Sequence, residues 1–567
     1  MVLGIIFRGN LPAFAWRDSG KPPAVGRPTL DRDLNLILLV LGSLVYLENI
    51  ALDHVATEVV RDRSCPPIHG QFVQFGVSSL QKIKPVGLFI PGLTRGYGKC
   101  GVAVIRITGP KSSEAVTKIA GLKLPLQPRY ASLRRLKDPE SKEMLDKGLV
   151  IWFPGPRSFT GEDSCEFQIH GGTAIISAVL GALSKLEGFR PAEPGEFTKR
   201  AFHAGKLDLT EVEGLADLIH AETEAQRKQA LLQSEGILSK LYNTWRETLI
   251  RVVAHVEAYI DFSEDENIEE NVMDQVEIAV KDLMKNIENH LTDGRCGERL
   301  REGVRTVIVG EPNVGQRPAA IVTPIAGTTR DVVELNINIG GYPMVLADTA
   351  GLRSGVSDAV ESEGIARAHK YAHSADLIIL VLDATKYIAW TNQVQPSEFT
   401  EFVKNSVTDL NLDYISPKAY TLNSSMNIES NCESTKKCLI IVNKSDLVQE
   451  TMNLKNIPQQ YSNVVPLSCK TEDGFPALLT HLEEHLAQLC GNPSRENPCL
   501  TQARHRHHLT DCLSSLESYF KHSQTDGDIV LAAHQLRKAL RHLGKITGHV
   551  NTEQILDVIF KEFCIGK

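Results

Sequence analysis

Nothing in this 567-residue chain is long and apolar enough to read as a membrane span, which takes about 20 residues. The nearest approach, Leu34–Leu47, is broken by Asn35, Gly42 and Ser43. It reads as a buried helix, with a signal-type apolar segment as the second reading. A basic excess is also lacking. The 61 Lys and Arg face 69 Asp and Glu, for a net charge of −8. That excludes a broadly basic nucleic-acid binder and confines any RNA contact to a local patch. The 11 cysteines include no C-x-x-C pair and no zinc spacing, so they read as free thiols in a reducing compartment. Met1–Arg17 contains Arg8 and Arg17, no acid and no serine. Apart from the missing serine, that is the composition of a transit segment.

What is present is globular in texture, 42% hydrophobic and 23% charged, over a length that suits about three or four domains. Thr306–Val309 is a β-branched run that ends at a glycine and reads as a buried strand. Gly310-Glu311-Pro312-Asn313-Val314-Gly315 follows and matches the first six positions of the phosphate-loop pattern G-x-x-x-x-G-K-[ST]. Thr323-Pro324-Ile325-Ala326-Gly327-Thr328-Thr329 comes next, then Asp348-Thr349-Ala350-Gly351 at the end of a second strand, where an aspartate can hold magnesium. Far downstream the strand Leu439–Val442 runs into Asn443-Lys444-Ser445-Asp446, an N-K-x-D element whose aspartate can accept from guanine N1 and N2 hydrogens. Ser468-Cys469-Lys470 fits the last base-contacting loop. One position contradicts the series. Gly315 is followed by Gln316-Arg317-Pro318. The lysine for the phosphates, the hydroxyl for magnesium and the helix whose N-terminus cradles the anion are all missing.

The rest of the chain reads as ordinary α/β from about Val86. Gly101–Ile107 and Leu149–Phe153 are strands, and a helix opens at Thr173. Cys165, Phe167 and Ile169 alternate with Glu166, Gln168 and His170, which predicts a half-buried strand with one polar face. Thr210 with Glu213 reads as a capping box, and the chain from there to Phe262 is nearly all helix former. Leu238, Leu241, Trp245 and Leu249 recur at helical spacing as core positions. Glu264–Glu270 reads as a solvated acidic turn, and Thr385–Lys437 as a long, largely irregular insert. Ile529, Ala532, Ala533, Leu536, Leu540 and Leu543 form an apolar stripe, with Arg537, Lys538, Arg541 and Lys545 opposite. Arg504-His505-Arg506-His507-His508, with Asp511 and Cys512 near, matches no metal spacing and reads as a surface cluster. A last helix spans Thr552–Phe563.

These motifs together resemble the tRNA modification GTPase family MnmE/TrmE, in its mitochondrial branch. The resemblance covers about residues 100–567 apart from 385–437. It rests on GVAVIRITG, SFTGEDSCEFQIHGG, PGEFTKRAFHAGKLDL, TPIAGTTRD, DTAGLR, NKSD and the terminal FCIGK. It implies a multidomain α/β fold with an N-terminal α/β folate-binding domain, a discontinuous helical domain and an inserted Ras-like P-loop G domain. The expected boundaries are 1–87 for an extension with a transit region and 88–206 for the folate-binding dimerisation domain. The helical domain takes 207–300 and 491–567, and the G domain 301–490. The resemblance to the mitochondrial branch implies a mitochondrial protein that forms a homodimer through the N-terminal domain. With an FAD-containing MnmG-type partner it modifies tRNA at carbon 5 of the wobble uridine, using a tetrahydrofolate one-carbon unit; in mitochondria the group is expected to be taurinomethyl.

Carried over by position, Arg106, Glu166, Lys206 and Lys567 match the folate contacts, and Cys564 the functional cysteine beside them. Asn313, Thr323, Ile325 and Thr328 match a potassium site, Thr329 and Asp348 the magnesium side, and Glu361 the carboxylate that orients the attacking water. Compared with the family, roughly nine residues are missing after Gly315, and the segment LFIPGLTRGYG before Lys99 departs from the expected first strand. The resemblance therefore implies a potassium-dependent GTPase. The missing Lys-Ser pair leaves a non-catalytic isoform as the alternative; a folate methyltransferase that merely carries a G domain would leave the downstream guanine motifs without a purpose.

Overall fold

The computed structural model describes residues 87–92, 100–262 except 124 and 126, 272–310, 334–347, 371–392, 399–412 except 411, 437–448, and 461–549 except 462 and 497. The readings made above for residues 1–86, the acidic turn, the helix from Thr552 and the CIGK tail lie outside these. No described helix is long and apolar enough to cross a membrane.

Strands β1 (Gly87–Gly92), β2 (Cys100–Thr108), β3 (Ser132–Lys137), β4 (Met144–Phe153), β5 (Ser164–Gly171) and β6 (Phe189–Pro191) form one sheet in the order β3-β4-β5-β2-β1-β6. Only β1 and β6 run parallel. The strand β1 forms within the segment that departs from the family pattern. Period-2 alternation sorts the two faces. Ile105, Ile107, Cys165, Phe167 and Ile169 point under α1 (Ser112–Ala120) and α2 (Thr173–Ser184), where Val116, Ile119, Val179 and Leu183 complete a core. Each such side chain contributes about 1.5–3 kcal/mol. The other face bears Arg106, Glu166 and Gln168, with Val102, Leu133 and Leu149 exposed among them.

After α3 (Glu196–His203), the helices α4 (Leu209–His220), α5 (Glu224–Ser234), α6 (Ile237–Phe262) and α7 (Val272–Leu291) follow. The near-continuous helix expected from Thr210 is broken twice. Thr223 and Gln226 cap α5 reciprocally, and Gly236 turns the chain with φ of 80°. The capping box at the start of α4 is Asp208 with Glu211 rather than Thr210 with Glu213. Both frames overlap in the sequence, and Glu213 is drawn instead into a buried ion pair described below.

Next, α8 (Cys296–Glu302) leads into a second sheet. Strands β7 (Val304–Gly310), β8 (Glu334–Ile339), β9 (Tyr342–Ala347), β10 (Leu377–Asp383), β11 (Lys437–Asn443) and β12 (Val464–Pro466) stand in the order β12-β11-β10-β7-β9-β8. Only β8 and β9 pair antiparallel. Every residue of β10 is buried, as expected for a parallel strand covered on both faces. One face packs on α9 (Ala384–Thr391) and α10 (Phe399–Asp409), the other on α8 and α11 (Phe475–Cys490). Helices α9 and α10 correct the irregular reading of 385–437. Phe399, Phe402, Val403, Ser406, Val407 and Leu410 recur at helical spacing and are buried, a stripe obscured by the polar residues around it. Residues 413–436 of that stretch lie outside the described set.

The chain then returns to the helices. α12 (Ala503–Phe520) and α13 (Ile529–Thr547) share one apolar core with α6 and α7. Leu238, Tyr242, Leu249, Val280, Leu516, Tyr519, Leu536 and Leu543 are all 0–3% exposed there.

Candidate functional site

The C-terminal ends of β10, β11 and β12 bring together the loops that the sequence singles out. In open parallel sheets this edge is where ligands bind. Asn443 closes β11, and its side-chain Oδ1 accepts from the Cys469 backbone N–H at 3.1 Å. Lys444 follows in the left-handed region at φ 64° and donates to Asp383 Oδ2 at 2.7 Å. Asp383 ends β10 and also accepts from the Thr385 N–H at 2.9 Å and hydroxyl at 2.6 Å. Burial raises the Asp383 carboxyl, but Lys444 and Thr385 outweigh burial and hold it below its ordinary value. Asp446 is exposed. Its Oδ1 accepts from the Ser468 hydroxyl at 2.7 Å. The backbone repeats the link, since Ser445 N–H donates to Leu467 O at 3.1 Å.

Asn443, Asp446, Ser468 and Cys469 are thus one hydrogen-bonded unit, with Lys444 fastened beside it and Lys470 exposed at its rim. Burial pushes the Cys469 thiol up to about 11, so it stays neutral and contributes shape and a backbone donor. A fixed carboxylate at such an edge suits a purine face with two adjacent N–H donors, which is the Watson–Crick edge of guanine.

The phosphate end is represented by Gly310 alone, the last residue of β7. A Cβ there would lie 2.7 Å from Val381 O, so only glycine lets β7 and β10 approach. Asn313, Val314, Gly315, Thr323–Thr329, Asp348–Gly351 and Glu361 lie outside the described residues, as do Cys564 and Lys567. On sequence alone this end does not fit a nucleotide phosphate with magnesium, because Gln316 and Arg317 stand where a lysine and a hydroxyl are needed.

The expected folate residues fall in part on the open face of the first sheet. Arg106 and Glu166 are cross-strand neighbours, and Arg106 Nε donates to Glu166 Oε1 at 2.8 Å. Both are part-exposed, at 36% and 21%. Lys206 follows α3. It runs along the loop that leads into β5, where a Cβ on Gly161 would lie 3.7 Å from its Cε. No hydrogen bond among the described residues joins it to the Arg106–Glu166 pair.

The buried polar networks are what sequence reasoning missed. Arg504-His-Arg-His-His508 is largely interior rather than a surface cluster. His505 is 0% and His508 8% exposed. Glu213 Oε1 accepts from Arg504 at 2.8 Å, and Glu213 Oε2 pairs with His505 Nε2 at 2.8 Å. Arg506 bridges Asp293 and Glu298 at 2.6 and 2.7 Å. The signal was available, because His505, His508, Leu509, Cys512 and Leu516 share the spacing of a buried helix face. The eight described cysteines are all free thiols.

Comparison with known proteins adds the following. Residues 209–564 match the family model described as the MnmE helical domain, and residues 90–206 that of the GTP-binding protein TrmE N-terminus. The Danio rerio protein called 5-taurinomethyluridine-[tRNA] synthase subunit GTPB3, mitochondrial, is 50% identical over 84% of this chain and 93% of its own length. The Homo sapiens protein of the same name is 47% identical over 85% of this chain and 94% of its own. The tRNA modification GTPase MnmE of Parvibaculum lavamentivorans is 44% identical over 84% and 99%.

Proposed function

The chain belongs to the MnmE/TrmE family of tRNA modification GTPases, and from that membership we propose a mitochondrial protein of wobble-uridine modification that reads guanine nucleotides through the loops after β11 and β12. The observation that supports this most directly is the Asn443–Cys469 and Asp446–Ser468 pair of hydrogen bonds, which pre-organises a guanine edge. The product would be the taurinomethyl type, installed with an FAD-containing MnmG-type partner on a mitochondrial tRNA.

The Arg106–Glu166 face would take the tetrahydrofolate derivative, with Lys206, Lys567 and Cys564 contributing. Glu166 offers acceptor oxygens suited to pterin N–H donors, and the exposed Val102, Leu133 and Leu149 supply apolar surface around it. That same open face would join two copies as a homodimer. In this reading the second sheet is a G domain inserted into a helical domain made of α4–α7 with α12 and α13, and potassium and magnesium would sit among the 313–329 and 348 positions only once the segment missing after Gly315 is restored.

A second reading has its own observation. Without the Lys-Ser pair after Gly315, the chain is a non-catalytic member that dimerises and holds folate or partner but turns over no GTP. Mass spectrometry of mitochondrial tRNA nucleosides, in cells that lack the endogenous relative, separates the two. Restored taurinomethyluridine by a version carrying the missing segment, and none by this chain, is the expected pattern. Failure of the restored version would overturn the wobble-uridine assignment. Full restoration by this chain would overturn the non-catalytic reading.

A further inference from the structure

Away from both sites, α12 and α13 bring together imidazoles and a carboxylate that the reading above does not use. We propose that His507, His508, Asp511 and His542 bind a divalent transition-metal ion of the zinc class, which clamps α12 to α13. Helical spacing puts His507 and His508 on the same side as Asp511, four and three residues away. The ligand atoms of these three lie within 4.8 Å of one another. His542 arrives from α13, and its Nδ1 stands 3.4 Å from Asp511 Oδ2. His507 Nε2 stands 3.5 Å from that oxygen. Two ligands of a tetrahedral zinc, each about 2.0–2.2 Å from the ion, are roughly 3.4 Å apart, so both pairs already have ligand spacing.

The second observation is independent of that spacing. His508 is 8% exposed and its Nδ1 is buried without a hydrogen-bond partner among the described residues; His542 Nδ1, also buried, makes no well-aligned hydrogen bond and meets only the Asp511 oxygen at 3.4 Å. Buried ring nitrogens are nearly always satisfied, and a metal ion would satisfy these. The rings of His508 and His542 are 5.9 Å apart by centroid, and those of His507 and His508 5.4 Å. Arg504, Lys538 and Lys545 lie close enough to act on these imidazoles and oppose a weakly held cation. Three imidazoles and one carboxylate suit zinc, cobalt or nickel rather than magnesium or calcium, which demand oxygen. Four protein ligands leave no open position, which is the pattern of a structural site.

The test uses the full chain, stripped by a chelator and titrated with zinc against a chromophoric competitor, then with cobalt(II) to read the visible bands of a tetrahedral centre. Asp511→Asn and His507→Gln change side chains that are 38% and 70% exposed, so both variants keep the fold. His481→Gln, on α11, is the control. The parent and the control should bind one more equivalent of zinc than either variant. Affinity at that site should fall by at least about 100-fold, the upper end of what the loss of an outer-shell partner costs. Zinc should raise the unfolding temperature of the parent but not of His542→Gln. Equal zinc stoichiometry and identical cobalt spectra in parent and variants would overturn the assignment.

Discussion

Lys444 Nζ sits 2.7 Å from Asp383 Oδ2, so the loop after β11 is tied to the end of its neighbour β10. The lysine is thereby immobilised alongside the loop whose Asp446 faces solvent. Asp383 spends its other oxygen on Thr385, and one aspartate both caps α9 and positions Lys444.

Replacing Asp383 with Asn keeps the cap, since a side-chain carbonyl still accepts from Thr385, and removes the charge that holds Lys444. A charge-assisted hydrogen bond is worth about 1.5–3 kcal/mol, so guanine nucleotide should bind roughly 10–100-fold more weakly. Isothermal titration with GDP, in the protein with its phosphate segment restored, reads this directly. Unchanged affinity would show that Asp383 serves α9 alone.

The phosphate end predicts a larger deficit in the chain as it stands. Gln316 and Arg317 replace a lysine and a magnesium-ligating hydroxyl. Arginine's planar fork is no substitute for an ammonium fixed on a helix. Loss of two such interactions, at about 1.5–3 kcal/mol each, weakens GTP binding by roughly two to four orders of magnitude. Turnover should be negligible with or without potassium, and restoring the missing segment should bring potassium-stimulated turnover back. Equal stimulation in both proteins would sink the argument.

Glu166→Ala should weaken tetrahydrofolate binding by about 1.5–3 kcal/mol, the worth of a hydrogen bond to a charge. It also leaves the Arg106 guanidinium without its partner on the sheet face. Fluorescence titration measures it, and the same affinity in mutant and parent would move the folate site away from this pair.

Glu213→Gln strips the buried partner of Arg504 and His505. Removal of one member of a buried pair costs about 3–5 kcal/mol, visible in urea unfolding at pH 7. Burial raises the Glu213 carboxyl, but His505 and Arg504 win and hold it low. Its contribution is therefore present above the ordinary carboxylate range and is lost as pH falls through the lower folded value. Burial also pushes His290 and His485 down to about 4, against about 6.5 unfolded. Between those values the unfolded chain binds more protons, so stability declines as pH drops from about 6.5 to 4. Urea midpoints at pH 7 and 5 should differ less in His290→Gln than in the parent. An equal difference in both would rule out this histidine as a source of the acid sensitivity.

Local patterns were legible in the sequence where a period or a loop chemistry acts by itself. The alternation of Cys165, Phe167 and Ile169 marks a sheet face, and Asn443-Lys444-Ser445-Asp446 marks a strand-end loop. Partners that meet only after folding were not. Asp383 carries no motif, and nothing near Glu213 announces Arg504 from α12. Asp208-Leu-Thr-Glu211 and Thr210-Glu-Val-Glu213 offer two capping frames. Burial decides between them, because Glu213 has Arg504 and His505 to meet inside the fold and Glu211 has no such buried partners. The run Arg504–His508 looked like a surface because its charges were counted without its helical phase.

The core shared by α6, α7, α12 and α13 has a consequence for how the chain is made. More than 200 residues separate Ile287 from Ala503. At about 5–20 residues per second, the first pair of helices leaves the ribosome on the order of 10–40 s before the second. Throughout that interval Val276, Val280, Leu283 and Ile287, all 0–3% exposed in the finished protein, have α6 as a partner but lack the cover of α12 and α13. The nascent chain must shelter them by borrowing a chaperone or by a temporary collapse. A premature stop between residues 467 and 502 would release a polypeptide with both sheets present and one side of its helical core uncovered, a species fit for degradation rather than for partial function.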